Sequence, residues 1–298
     1  FAINTDGSSF RTLHTFAALP STSPPFTNDD GANPIGRLLL SGDTLYGTTS
    51  AGGTNDEGTV FAVSTNGTGF KDLYHFTALS SYPYTNSDGA GPQCGLIMLG
   101  NTLYGTAEYG GTNGYGTLFA INSNGTGFTI LHTFSTGNDG GYPVADLISS
   151  SDILYGTTDY GGLALGTIYA IGTNGTDFKA LYDFAVSDGF GSLAGLILSG
   201  GSLYGTLYSG GPNLYGSVYG LSLVPPLTIS PSGTNVILSW PTNFSGFTLE
   251  FATNLNSTVW NAKLPAPFVV NTNNTVTNAI SGTQKFYRLS QVVNLQSP

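Results

Sequence analysis

The chain has 298 residues, enough for one large or two ordinary domains, and 40% of them are apolar, so a sizeable core can form. Only 8% of the residues are charged and the net charge is −10 with 7 basic residues, which excludes a nucleic-acid partner because phosphate binding needs a patch of Lys and Arg. No apolar run reaches the roughly 18 residues of a membrane-spanning helix, so we expect no membrane insertion.

The polar composition indicates where the protein works. Lys and Glu are few, whereas Thr, Asn and Gly are abundant. This composition is typical of secreted bacterial surface proteins, so we expect an extracellular or cell-surface location. The sequence begins at Phe1 without a Met, and we interpret it as a mature or truncated form.

One segment recurs along the first three quarters of the chain. Its copies are "FAINTDGSSFRTLHTF" (1–16), "FAVSTNGTGFKDLYHF" (61–76), "FAINSNGTGFTILHTF" (119–134) and "YAIGTNGTDFKALYDF" (169–184), and a fifth copy begins at Tyr219 and stops. The successive spacings are 60, 58, 50 and 50 residues. Periods of this length are typical of propellers, solenoids and arrays.

Each period contains four short strand-like runs, which we call a, b, c and d. In the unit that begins at Gly36 they read "GRLLLS", "TLYGTT", "GTVFAV" and "FKDLYHF". Each run is rich in β-branched or aromatic residues and ends at turn residues. The c–d links contain Asn-Gly or Asp-Gly, which favour tight hairpin turns. Four antiparallel strands repeated about every 50 residues predict a propeller blade.

The number of runs leaves the closure of the propeller open. There are 17 runs up to residue 223, one more than four blades use. The fold prediction is therefore all-β, with a four-bladed or a five-bladed β-propeller followed by a small β-sandwich. If run d is outermost, "RTLHTF" completes the blade that begins with "GLILSG". If blades begin at run c, the last c run is unpaired and available for strand exchange with another chain.

Run b carries a constant Tyr-Gly pair in every period. We expect its tyrosines to pack between blades and its glycines to allow the close approach of a neighbouring backbone. The tyrosines are Tyr46, Tyr104, Tyr155 and Tyr204, and the glycines are Gly47, Gly105, Gly156 and Gly205.

The composition changes after Leu223, and Pro225-Pro226 marks a boundary. We predict a propeller over 1–223, a sandwich over 226–290 and a tail over 291–298. Seven short runs support the sandwich: "LTIS", "NVILSW", "FTLEFAT", "WNAKL", "FVVNT", "NTVTNAI" and "KFYRLS". We expect Trp240 and Trp260 to lie in its core.

The repeat unit "DG-x-x-P…L…LYGT-x-x-x-GG…GTVFA…NGT-x-F…LH-x-F" resembles the bacterial GloVer tandem-repeat family over about residues 1–223. That resemblance implies β-propellers on extracellular proteins and supplies no activity for particular residues. The end of the chain, "LSWP…FTLE…W…FYRLS", is similar to the immunoglobulin- or fibronectin-like modules of secreted bacterial proteins.

An aspartate followed by glycine recurs in the d–a links, as Asp30, Asp88, Asp139 and Asp188. A turn aspartate that bonds its own backbone explains the pattern. The alternative is a ring of carboxylates around an axial channel that binds Ca²⁺, which prefers six to eight oxygen ligands. We expect no other cofactor, since His14, His75 and His132 show no metal-ligand spacing and no nucleophile beside them.

The residues before each double glycine vary while their flanks stay constant, which is typical of a scaffold with a tailored loop face. The candidate ligand-binding residues at these positions are Glu108, Tyr109, Asp159, Tyr160 and Tyr208. The tyrosines could stack on sugar rings, and the two carboxylates could serve as acid and base in glycoside hydrolysis.

Three functions therefore stay open at the level of the sequence. The first is a non-catalytic extracellular structural or adhesive module that self-associates into fibres by terminal strand exchange. The second is a propeller that binds an extracellular glycan through its loop aromatics. The third is a glycoside-active enzyme that uses Glu108 and Asp159. We favour the first, and expect no catalytic residues.

Overall fold

The computed structural model describes residues 1–19, 26–162, 165–242, 247–257, 259–262, 264–279 and 284–291. The chain forms two compact units, one of Phe1–Ser199 with Tyr204–Gly220 and the other of Gly200–Leu203 with Leu221–Pro298. The fold is all-β, as predicted. Within the described ranges there is no helix of the length and apolar character needed to cross a membrane.

The repeats form four antiparallel sheets, which are the blades of a β-propeller. Three of them have four strands each, in the order of the chain. The first blade has β1 (Leu39–Ser41), β2 (Thr44–Thr49), β3 (Thr59–Ser64) and β4 (Lys71–His75), and the second has β5 (Ile97–Leu99), β6 (Thr102–Ala107), β7 (Thr117–Asn122) and β8 (Thr129–Thr133). The third has β9 (Ile148–Ser150), β10 (Ile153–Thr157), β11 (Thr167–Gly172) and β12 (Lys179–Asp183). The fourth has three strands, β13 (Ile197–Ser199), β14 (Ser202–Leu207) and β15 (Ser217–Ser222). The runs a to d are thus the strands of the first three blades, and the runs a to c are the described strands of the fourth.

The cores lie between successive blades. One cluster joins Tyr46, Val60 and Phe76 of the first blade to Leu103 and Phe119 of the second. A second cluster joins Tyr104 and Phe134 of the second blade to Leu154 and Tyr169 of the third. A strand buried on both faces needs apolar residues on both, which explains runs such as "TVFAV". The prediction that the run-b tyrosines pack between blades is confirmed for Tyr46 and Tyr104. It was wrong for Tyr204, which is 44% exposed.

The glycines after these tyrosines make room for side chains, so the expectation of a close backbone was wrong. Gly105 lies directly opposite Phe119 in the β6–β7 ladder. A Cβ on Gly105 would lie 2.7 Å from Phe119 Cζ and 2.7 Å from Leu96 Cδ2. The glycine therefore lets an aromatic ring of the neighbouring strand lie flat across the sheet.

The N-terminal segment packs on the first blade of its own chain. Ala2 and Arg11 form an antiparallel bridge, and Arg11 Nη2 donates to Thr65 O at 3.0 Å. Phe16 contacts Phe61, with ring centroids 5.4 Å apart. "RTLHTF" therefore does not complete the fourth blade, whose three described strands end at β15.

The inner ends of three blades are tied together. Asp146, just before β9, accepts a hydrogen bond from Gly95 N at 2.6 Å and pairs with Arg37 Nε at 3.3 Å. Arg37 precedes β1 and Gly95 precedes β5, so one carboxylate links the innermost segments of the first, second and third blades.

The second unit is a small sandwich. Its larger sheet has the order β16 (Thr228–Ser232), β17 (Asn235–Pro241), β20 (Asn273–Ala279) and β19 (Phe268–Val270), and its smaller sheet pairs β18 (Phe247–Ala252) with β21 (Phe286–Gln291). Leu238, Trp240 and Val276 of the larger sheet pack on Leu249 of the smaller one.

Two predictions for the second unit were wrong. Trp260 lies outside that core, under the guanidinium of Arg288, whose Cζ is 4.4 Å from the ring centroid. "WNAKL" forms no strand in its described residues; Asn261 makes only an isolated bridge to Phe251. Residues 292–298 of the predicted tail lie outside the described residues.

Candidate functional site

The links between strands emerge on two opposite loop faces of the repeat unit. Because the strands of each blade are antiparallel, the b–c and d–a links share one face, which we call the upper loop face. The a–b and c–d links share the other, the lower loop face. Isolated bridges pair the two kinds of upper link, among them Ala90 with Tyr109 and Gly141 with Tyr160.

An asparagine frame holds the variable segment of the upper loop face in the first and second blades. In the second blade, Asn86 Oδ1 accepts from Gly89 N at 2.9 Å and from Gly111 N at 2.8 Å, which ties the d–a link to the b–c link. Gly111 has a φ of 74°, where an L side chain is strained. The double glycine and the asparagine thus fix the backbone, while the preceding residues are free to differ.

Tyrosine is concentrated on the upper loop face. Six exposed tyrosines lie in its links: Tyr82, Tyr84, Tyr109, Tyr160, Tyr208 and Tyr215. The c–d links of the lower face read "TNGTG", "SNGTG" and "TNGTD", without an aromatic residue. The two loop faces of one scaffold therefore differ in chemistry.

Five of the upper residues form one group, the carboxylate–tyrosine cluster, defined as Glu108, Tyr109, Tyr142, Asp159 and Tyr160. The ring centroid of Tyr142 is 5.8 Å from that of Tyr109 and 6.4 Å from that of Tyr160. Tyr109 is 44% exposed and Tyr160 49% exposed, so both rings are accessible. The cluster spans the second and third blades.

Glu108 is held in place by neutral donors. Gln93 Nε2 and the Tyr109 hydroxyl both donate to its carboxylate. Burial raises the pKa of Glu108, and the nearby negative charge of Asp159 raises it further. Burial and the contact with Glu108 raise the pKa of Tyr109 to about 12, so its hydroxyl stays a donor.

Asp159 occupies the equivalent position in the third blade. Burial alone accounts for the raised pKa of Asp159. A Cβ on Gly191 would lie 3.8 Å from Asp159 Oδ1 and 3.1 Å from Tyr208 Cβ, so this glycine separates the carboxylate from Tyr208 of the fourth blade. All five candidate residues of the sequence analysis therefore lie on one face, in adjacent blades.

Tyr142 has a strained backbone. Its φ is 57°, in the left-handed region that bulky residues avoid. Tyr142 O accepts from Asp159 N, as Gly91 O accepts from Glu108 N and Gly191 O from Tyr208 N, so the three residues are equivalent. The equivalent residue of the first blade is Asn33, whose φ is also 57° and whose O accepts from Ser50 N. Asparagine tolerates this region better than tyrosine does, so Tyr142 retains about 1–3 kcal/mol of strain, and such strain is concentrated at functional sites.

Tyr142, Gln93 and Tyr115 were missed by the sequence analysis. Gln93 and Tyr142 belong to the d–a links, whose variable lengths hide the equivalence of their residues. Tyr115 belongs to the b–c link of the second blade, and its ring centroid is 5.6 Å from that of Tyr142. A tyrosine between a glycine pair and a proline, as in "GGYP", was the one available signal for Tyr142.

The recurrent aspartates do not come together. Each accepts hydrogen bonds within its own repeat: Asp88 from Tyr74 Oη at 2.7 Å and Thr77 N at 2.9 Å, Asp30 from Ala17 N at 3.0 Å, Asp139 from Ser135 Oγ at 2.5 Å and Asp188 from Tyr182 Oη at 2.8 Å. Among the described residues, no three His, Cys, Asp or Glu side chains are grouped as metal ligands would be. The aspartates fasten the outer strand of one blade to the link that follows it.

The chemistry of the cluster favours binding. Tyrosine faces can stack on sugar rings, and the hydroxyls and carboxylates can accept or donate hydrogen bonds. Two carboxyl groups with raised pKa values could also act as acid and base, which stays a prediction of the sequence.

The profile of the Gloeobacter/Verrucomicrobia repeat family matches residues 1–165 and again 77–250. The chain therefore belongs to this family. The predicted immunoglobulin- or fibronectin-like character of the second unit stays a prediction. No curated protein matches the sequence.

Several solved structures are distantly similar to this chain. A nidogen/laminin complex matches with a TM-score of 0.42 and 16% identity over 69% of this chain and 71% of that chain. TolB from Acinetobacter baumannii matches with a TM-score of 0.40 and 12% identity over 81% of this chain and 56% of its own. A polysaccharide lyase of family PL25, an ulvan lyase, matches with a TM-score of 0.38 and 10% identity over 72% of this chain, which spans 48% of the lyase chain.

Proposed function

We propose that this protein is a non-catalytic, extracellular adhesive module that binds a glycan through the carboxylate–tyrosine cluster on its upper loop face. The observation that carries the proposal is the row of tyrosine rings of Tyr109, Tyr142 and Tyr160, of which the outer two are exposed. Proteins rarely leave several aromatic rings accessible in one place without a partner. The strained backbone of Tyr142 further supports a role other than stability.

A glycan array tests the proposal. The wild-type protein is expected to bind at least one glycan, and the variants Tyr109→Ala and Tyr160→Ala are expected to lose that binding, since each removes a stacking surface. The matched control is Thr126→Ala in a c–d link of the lower loop face, which should bind as the wild type does. No binding across a broad array of neutral, anionic and amino glycans would overturn the proposal.

The same experiment addresses catalysis. If the bound glycan is cleaved and the variants Glu108→Gln or Asp159→Asn abolish turnover, the protein is a glycoside-active enzyme instead. If the glycan is recovered intact after prolonged incubation, the non-catalytic function is supported.

Self-association is a second candidate function, and the fourth blade favours it. Tyr204 is 44% exposed and Val218 is 81% exposed, whereas the equivalent Tyr104 and Leu118 are buried. A blade face with this apolar character is suited to a second copy of the chain. Sedimentation velocity over a range of concentrations tests this: Val218→Asp should abolish any oligomer, and a wild-type monomer at every concentration would refute it.

A further inference from the structure

We infer that the carboxylate–tyrosine cluster selects glycans that carry a free amino group. This inference rests on the proposed function and names its ligand class. The observation behind it is that Glu108 and Asp159, on adjacent blades, are both half-buried, and that the described residues place no basic side chain beside them.

Neither Glu108 nor Asp159 takes part in an ion pair among the described residues. The ion pairs found there involve Asp30, Asp72, Asp139, Asp146 and Glu250. Arg37, which precedes the innermost strand of the first blade, pairs with Asp146. The neighbours that act on Glu108 are Tyr109, Gln93 and Asp159, none of them basic. Among the described residues, no basic side chain is therefore paired with either carboxylate.

The aromatic rings complete a site for a cation. The rings of Tyr109 and Tyr160 lie on either side of Tyr142, and both Glu108 and Asp159 lie close enough to act on the Tyr109 hydroxyl. A cation over a tyrosine ring is attracted by the ring electrons, and the attraction grows as the cation is desolvated. An ammonium group also has three donors, enough to bond both carboxylates and one tyrosine hydroxyl.

Other ligand classes fit less well. A sulfated or uronic-acid glycan would bring a negative charge toward Glu108 and Asp159, and the repulsion would oppose binding. A neutral glycan could stack on the tyrosines but would leave the two carboxylates unneutralised. An amino sugar supplies a ring face for stacking and a positive charge for the carboxylates in one residue.

The test compares two oligosaccharides that differ only in the amino group: a β-1,4-linked glucosamine hexasaccharide and its fully N-acetylated counterpart, titrated by calorimetry at pH 6. The wild type is expected to bind the amino form at least tenfold more tightly. The double variant Glu108→Gln/Asp159→Asn should reduce this preference to near one. The control Asp152→Asn, an exposed carboxylate of the lower loop face, should keep the full preference.

Each other outcome overturns the inference in a recognisable way. Equal affinity of the wild type for both hexasaccharides would refute amino selection and leave glycan binding in place. If Asp152→Asn weakens the preference for the amino form as much as the double variant does, that preference reflects the overall negative charge of the protein. This result would also refute the inference. Binding of neither hexasaccharide, in a protein that binds another glycan on the array, refutes the inference alone; binding of no glycan at all refutes the proposed function with it.

Discussion

The imidazole ring of His14 lies face to face on the ring of Phe70, with the centroids 3.6 Å apart and the planes 7° from parallel. The same relationship joins Tyr74 to Phe128 at 3.7 Å and His132 to Phe178 at 3.8 Å. The first ring of each pair belongs to run d of one repeat, and the second follows the Asn-Gly link of the next repeat. The repeated stack is therefore a joint between blades.

Removing one ring of this joint should destabilise the propeller. We expect Phe128→Ala to lower the free energy of unfolding by about 3 kcal/mol, because it leaves a cavity beside Tyr74 and Phe119. Urea denaturation followed by tyrosine fluorescence measures the change. Phe10→Ala, at the equivalent position of the N-terminal segment but exposed, is the control and should change stability by less than about 1 kcal/mol. Equal losses in the free energy of unfolding for the two variants would contradict the view that this stack joins the blades.

His and Tyr should be interchangeable in this joint but differ in their response to pH. His132 Nε2 lies 3.1 Å from Asp139 Oδ2, as Tyr74 Oη lies 2.7 Å from Asp88 Oδ2. Burial lowers the pKa of His132, so the unfolded state takes up the proton at a higher pH than the folded state does. The stability from neutral His132 is therefore present above its unfolded pKa and is lost as the pH falls. His132→Tyr should match the wild type at pH 8 and exceed it at pH 5; an unchanged difference between the two pH values would contradict this.

Replacing the glycine of run b should destabilise the propeller even when the new residue is alanine. We expect Gly105→Ala to cost up to about 3 kcal/mol, because the new Cβ would meet Phe119 and Leu96. Phe119→Leu in that background should recover part of the loss, since it removes the ring that the Cβ would touch. Thermal unfolding of the two single variants and the double variant measures the coupling. If the two losses simply add, the glycine does not make room for that ring.

Tyr142 should oppose stability and favour binding. Tyr142→Gly is expected to raise the free energy of unfolding by about 1 kcal/mol, because glycine adopts a φ of 57° without strain. The same variant should lose glycan binding, because the central ring of the row is gone. A double readout of thermal unfolding and glycan titration checks both effects. Gly191→Ala, at the equivalent glycine of the fourth blade, should show the reverse sign in stability.

The two carboxylates of the cluster should also lower stability at neutral pH. Their pKa values are raised in the folded state, so the folded protein holds protons that the unfolded chain has already released. The two protonated carboxyl groups therefore stabilise the folded state below the pKa values of the unfolded chain. This contribution is lost as the pH rises through the pKa values of the folded state. Glu108→Gln and Asp159→Asn should therefore be more stable than the wild type at pH 7 and converge with it near pH 3. A constant difference across that range would refute the shifted titration.

The sequence predicted the blades because their strands repeat with constant spacing between tight links. It also predicted Glu108, Tyr109, Asp159 and Tyr160 as neighbours, because their flanks are constant. It could not predict Tyr142, whose equivalence to Gly91 depends on a backbone bond to the next link. The role of Gly105 was equally hidden, since the ring that it accommodates belongs to a strand 14 residues further on.

The central claim is that a ligand binds on the tyrosine rings of the upper loop face. Fluorine NMR of protein labelled with 3-fluorotyrosine tests it most directly, with resonances assigned by single Tyr→Phe variants and titrated with the glycan found on the array. We expect the resonances of Tyr109, Tyr142 and Tyr160 to shift. Those of Tyr46 and Tyr104, which are buried between blades, should not shift. Shifts confined to other tyrosines, with these three unchanged at saturation, would contradict it.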